Sequence, residues 1–216
     1  MNNENNWFAT EAGHALVEQA ILMAEPWLWS LCGHNALILQ PVLSEYLRPQ
    51  LQCKPSTYLQ HYENQFIGDF KTGEHNIPLV NECMALVYAQ FILDTTKSKI
   101  ELLHEFERIL VSEGHLALFC LNANAVYQLT GKWRNINIKN VQYWSSLLHQ
   151  SGFEICRTES IGPFWPSKTN KSSDKIFKPF NVFRSVNFIL ARKRKSALTP
   201  LRNSAGKVAL AREIVQ

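Results

Sequence analysis

The stretch Cys83–Asn122, CMALVYAQFILDTTKSKIELLHEFERILVSEGHLALFCLN, decides the fold. Cys83 to Tyr88 and His115 to Leu121 read as apolar runs of strand length. A strand that is apolar on both sides must be covered on both faces, which is the condition of a parallel sheet flanked by helices. The segment between the two runs reads as a helix. Ser98 with Glu101 three residues later predicts a capping box. Ile100, Leu103, Phe106 and Leu110 recur at helical spacing and predict one apolar face. Gly114 predicts the left-handed residue that closes the helix, and a right-handed crossover returns the chain parallel to the first run.

Outward from this unit, Asn35 to Leu39 reads as the first strand, bounded by Gly33 and Pro41. Ser56 to Tyr62 reads as a second strand and Gln65 to Phe70 as a short third, so the two apolar runs become the fourth and fifth. Phe153 to Ser160 and Ser185 to Arg192 are the sixth and seventh. Thr10 is the expected N-cap of a helix from Glu11 to about Glu25, with Leu16, Ala20 and Met23 as its apolar stripe and Pro26 after its end. Trp7 and Phe8 pin the polar N-terminus, and Trp27-Leu28-Trp29 forms an aromatic knot. Asn137 to Gln150 predicts a helix turning Val141, Trp144, Leu147 and Leu148 to the core, with Gly152 after it.

With 216 residues and 46% hydrophobic composition, the chain can bury a sizeable core. Its longest apolar stretch, Met84 to Leu93, is interrupted by Gln90 and too short for a bilayer. The N-terminus lacks the basic and apolar regions of a secretory signal, so a cytoplasmic location without membrane contact is expected. The five cysteines contain no CxxC pair and the seven histidines no HExxH, so buried reduced thiols and no metal are expected. The formal charge is +4. Residues 192 to 216 carry seven basic side chains against Glu213 alone, a net +6, and the remainder is −2. Residues 1–30 are therefore expected to hold a covering helix, 31–192 the main domain, and 193–216 a disordered basic tail suited to polyanions or nucleic acid. Within the domain, residues 162–184 form a long insert rich in proline, lysine and aromatic residues, which admits a mobile lid or a strand-tracking surface.

Leu103-His104-Glu105-Phe106-Glu107-Arg108-Ile109-Leu110 followed by Glu113-Gly114-His115-Leu116 resembles the "LxExxRVLxxGGxL" stretch of type-11, class I S-adenosylmethionine-dependent methyltransferases. Asp69, Ile77-Pro78-Leu79 and Glu82 to Val87 resemble that family's "D…LPF…xDxV". The resemblance spans roughly residues 30 to 192. It implies a Rossmann-like α/β fold: a seven-stranded, mostly parallel sheet with helices on both faces and an antiparallel last pair at the edge. It also implies S-adenosylmethionine as cofactor, and leaves the methyl acceptor unknown.

Methyl transfer from a sulfonium is an in-line displacement in which the protein mainly positions its reactants, so catalytic residues are not identifiable from residue types. Cofactor contacts are. The resemblance places Asp69, with Phe70 beside it, after the third strand, where an acceptor meets the adenine amine. It places Gln90 after the fourth strand and Asn122 at the end of the fifth. Glu63 is the first carboxylate after the second strand. The family's glycine-rich turn after the first strand is here Leu39-Gln40-Pro41-Val42. Gln40 stands at the first glycine and Pro41 removes a backbone donor. Two readings follow: a methyltransferase, or a catalytically inactive descendant that binds or scaffolds.

Overall fold

A computed structural model describes residues 7–42, 47–134, 136–166 and 178–194. Eight strands form one sheet in the order β4-β3-β2-β1-β5-β6-β8-β7. They are β1 (Ala36–Gln40), β2 (Ser56–Tyr62), β3 (Gln65–Gly68), β4 (Lys71–Gly73), β5 (Met84–Gln90), β6 (Leu110–Leu121), β7 (Phe153–Ile161) and β8 (Val186–Lys193). Neighbours β2, β1, β5 and β6 are parallel. The flanking pairs are antiparallel, so only β3 and β8 run against the rest. The two apolar runs of the sequence are the adjacent interior strands β5 and β6.

The count is eight strands rather than seven because the expected third strand, Gln65 to Phe70, ends at Gly68 and a further short strand follows at Lys71–Gly73. Glu63 (φ 48°) and Asn64 (φ 61°) are both left-handed and close a two-residue hairpin between β2 and β3. A parallel return needs a crossover of a dozen or more residues, and the chain has two. β3 therefore runs back along β2, and β4 continues the meander.

Helices cover the sheet unevenly. On one face lies α1 (Glu11–Leu28), capped by Thr10, whose Oγ1 accepts from the Gly13 amide at 3.2 Å. It packs Leu16, Val17, Ala20 and Leu28 over Ile38, Tyr88, Phe119 and Phe188. The helix runs three residues past the expected end, with Pro26 inside its last turn. The proline has no N–H to donate to the carbonyl of the solvent-facing Leu22, while Trp29 still donates to Glu25. Phe8 is buried and Trp27 stacks on Phe188 at 5.4 Å, but Trp29 is exposed.

On the other face lie α3 (Lys99–Ile109) and α4 (Val141–Gln150), with the single turn α2 (Ile92–Thr95) leading into α3. The α3 stripe is Leu102, Leu103, Phe106 and Ile109. Ile100 is half-exposed: the buried face is rotated one residue from the expected one. Ser98 is the N-cap residue, but its backbone (φ −103°, ψ 63°) lies outside the extended region that aims a capping hydroxyl, and the capping box does not form. Gly114 does not end the helix. The chain turns extended at Leu110, which pairs with Met84, and Glu113 (φ 64°) takes the left-handed position. Gly114 is required for closeness instead: a Cβ there would meet Val111 O at 2.8 Å. In α4, Asn140 Oδ1 caps the Tyr143 amide at 2.8 Å and Trp144, Leu147 and Leu148 are buried. Gly152 (φ 84°) follows the helix, as expected.

Lys193 belongs to β8, not to a tail. Its Nζ donates to Leu110 O at 3.0 Å and pairs with Glu107 at 3.2 Å, while Arg192 pairs with Glu113 and Glu154. The expectations for residues 195–216, and for 167–177 of the insert, lie outside the described residues. The insert's described ends are joined by Arg184, whose guanidinium donates to Gly162 O at 2.7 Å.

Candidate functional site

The carboxyl ends of β1, β5 and β6 are where an open α/β sheet presents a ligand. Alternation along β1 turns Ala36, Ile38 and Gln40 toward α1, and along β5 it turns Leu86, Tyr88 and Gln90 the same way. Gln40 and Gln90 thus meet at the strand ends, and both are 0% exposed. Gln40 Nε2 donates to Gln90 Oε1 at 3.1 Å and to Leu47 O at 2.8 Å. Gln90 Nε2 donates to Val17 O of α1 at 3.4 Å. Phe91, held left-handed (φ 57°), stacks on Phe8 at 4.9 Å. Two carboxamides and two rings thereby tie the ends of β1 and β5 to α1 and to the segment before it.

Asp69 and Phe70 are not part of this arrangement. Asp69 stands opposite Tyr58, whose amide donates to Asp69 Oδ2 at 2.8 Å, and Tyr58 is level with Ile38 in the middle of β1. Because β3 runs antiparallel, its end points toward the amino ends of β1 and β2. Phe70 packs half-buried on the opposite face of the sheet. Glu63 sits exposed in the hairpin turn. Asn122 is fully committed: its Nδ2 donates to Val182 O and Arg184 O, both at 2.7 Å, and its Oδ1 accepts from the Asn124 amide. It anchors the end of the insert to the end of β6.

The described residues at these strand ends do not fit S-adenosylmethionine. The turn after β1 has no glycine to let a backbone approach the ligand, Pro41 offers no amide, and Gln40 is bonded across to β5. Among the described residues, Gln40 Oε1 is a buried acceptor without a partner, and the buried Tyr88 hydroxyl on the same face also has none. Among the described residues, these groups do not replace the amide donors and ribose-binding carboxylate that such a cofactor calls for.

A polar cluster on the opposite face was not legible from the sequence. His61 bonds Glu74 through Nε2 and Thr95 Oγ1 through Nδ1. Thr96 Oγ1 donates to Glu74 Oε2 at 2.6 Å, and Lys99 Nζ donates to Thr96 O at 2.7 Å. Next to it, the Leu121 amide donates to Asp94 Oδ2 at 2.8 Å, leaving Oδ1 unpartnered. Burial pushes the Asp94 carboxyl up to about 8, against the opposing pull of that amide and of Lys99, and burial also lowers the Lys99 ammonium. These bonds join β2, α2 and the start of α3. Apart from Lys99 on Thr96, the bonded partners lie 13 or more residues apart in the chain, so no local motif could announce them.

Chemistry is missing from another conspicuous match as well. Glu105 and Arg108, the Glu-x-x-Arg pair of α3, grip the Ile77-Pro78-Leu79 segment. Arg108 donates to Ile77 O at 2.9 Å and Leu79 O at 2.8 Å, and Glu105 accepts from the Ile77 amide at 3.0 Å. The two quoted motifs are thus one structural clamp holding the entry to β5.

No protein-family model and no curated protein matches the sequence. Solved structures do match, at low identity. A S-adenosylmethionine-dependent methyltransferase from Aquifex aeolicus superimposes with a TM-score of 0.55 at 12% identity, covering 82% of this chain and 91% of that one. One from Mesorhizobium loti gives 0.51 at 14% identity, covering 86% and 99%. The chain solved with the Haloferax volcanii Trm112 methyltransferase activator gives 0.54 at 12% identity, covering 89% and 92%.

Proposed function

We propose that this chain, whose fold is that of class I S-adenosylmethionine-dependent methyltransferases, is an inactive form of that fold which works through its surfaces as a binding or scaffolding protein. The observation that carries the reading is the buried Gln40–Gln90 hydrogen bond at the ends of β1 and β5. It occupies the strand ends with protein amide where the glycine turn of an active enzyme would leave backbone donors free. Asp69 on the far end of the β2–β3 hairpin and the clamp role of Asn122 agree with it. The reading keeps the fold, the core and the family's Glu-x-x-Arg clamp, which serve stability, and drops the contacts that serve only the cofactor.

Thermal melting with millimolar S-adenosylmethionine tests this. A ligand that binds only the native state at about 100 times its Kd adds about 2.7 kcal/mol, enough to move a melting midpoint by several degrees. The midpoint should stay where it is. A clear upward shift, with methyl transfer to any acceptor, would favour the competing reading of an active methyltransferase.

A further inference from the structure

The hairpins that replace crossover segments leave part of the sheet without a helix. On the α1 side, β1, β5, β6 and β8 are covered, but Tyr58 and Gln60 of β2 are only half-buried and Ile67 and Lys71 beyond them are exposed. Where this open face meets the end of α1 there is a cleft of about 670 Å³. Its walls come from Trp29, the 48–54 segment and the start of β2. Trp29 is 57% exposed although Leu28 directly before it is buried. The Arg48 guanidinium lies 4.5 Å over the Tyr58 ring. Lys54, Gln50 and Gln52 are exposed around it, and among the described residues no carboxylate lines the cleft. Asp69, on the neighbouring strand, has one oxygen on the Tyr58 amide.

We propose that this cleft binds single-stranded nucleic acid. A flat base can stack on Trp29 and on the outer plane of Arg48, which Tyr58 holds flat from beneath. Lys54 meets the phosphate backbone. The Gln50 and Gln52 amides carry both donors and acceptors, which suits base edges of any kind and gives little sequence preference. The chemistry separates this partner from a protein one. A protein-docking face is rich in apolar anchors, whereas this cleft offers two cations, two amides and an exposed indole, with Leu51 already buried in the core. The assignment rests on the surface-binding reading but not on the Gln40–Gln90 contact, so either can fail alone.

Fluorescence anisotropy on the full chain with labelled oligothymidine and oligouridine of about 12 nucleotides, roughly one site's length, reads the proposal across a salt series. Wild type should bind at micromolar concentration in low salt. The double variant Arg48→Gln with Lys54→Gln should weaken binding about tenfold or more and reduce the salt slope by about one to two contacts. Trp29→Ala should weaken it about fivefold or more with the slope unchanged, because stacking releases no counterions. All three side chains are exposed, so circular dichroism should show the variants folded. Absence of binding by wild type at about 100 μM would overturn the proposal. So would variants that bind like wild type, which would put any polyanion affinity outside the cleft. Equal affinity for heparin together with a silent Trp29→Ala would overturn the stacking assignment.

Discussion

Asp94 shows what burial does to a single ionisable group. Its carboxyl is 2% exposed, accepts one amide, and has one oxygen without a partner. With its pKa raised to about 8 from an ordinary 3.8, the native state holds a proton through a window in which the unfolded chain has released it. Unfolding then releases that proton, so native stability falls as pH rises from about 4 toward 8. Asp94→Asn keeps the acceptor for Leu121 and cannot ionise. In urea titrations, the variant should gain on wild type by roughly 2–4 kcal/mol between pH 5 and pH 8. A constant difference across that range would mean that Asp94 is charged in the native state. Nothing in the sequence around Asp94 marks it, since its partners Leu121 and Lys99 come from β6 and α3. Gln40, in contrast, was legible: a glutamine before a proline where a glycine turn is expected is a local departure, and the structure shows the buried contact with Gln90 that goes with it. The resemblance also put Gln90 near the same strand ends.

At the scale of elements, periodicity located α3 but misplaced its face by one residue. Leu102 and Leu103 are both apolar, and either can belong to a stripe through Phe106; only the sheet beneath decides. The consequence is testable by contrast. Phe106 is fully buried, so Phe106→Ala should cost about 3–5 kcal/mol in chemical denaturation. Ile100 is half-exposed, so Ile100→Ala should cost under about 1 kcal/mol. Equal losses would show that the stripe is the one first expected. The β2–β3 hairpin was also within reach of the sequence. Only Glu63 and Asn64 separate Tyr62 from Gln65, too few for any crossover, and loop length alone excludes a parallel third strand. What concealed it was the absence of the usual Asn-Gly turn, since Glu63-Asn64 takes left-handed backbone without a glycine. The extended Leu110–Gly114 segment was hidden for another reason. Its pairing with Met84 is a tertiary contact that overrides a helix-like pattern running to Leu110.

For the whole molecule, the interior of the sheet was written in β5, β6 and the helix between them, and the architecture follows from those two apolar strands. Its edges were not. The first half of the sheet is built from hairpins, which moves Asp69 away from the strand ends and leaves a face of β2–β4 open; the last half keeps the antiparallel β7–β8 pair that the resemblance implied. On the proposed reading, fold and chemistry have separated: the core is kept, while among the described residues Gln40 and Asn122 serve structural contacts. Calorimetric titration with S-adenosylhomocysteine tests this most directly, on wild type beside the double variant Gln40→Gly with Pro41→Gly. The account predicts no detectable heat from wild type at millimolar ligand, and at most weak binding recovered by the variant, because Asp69 remains on the wrong end of β3. Low-micromolar binding by wild type, about −8 kcal/mol, would contradict it.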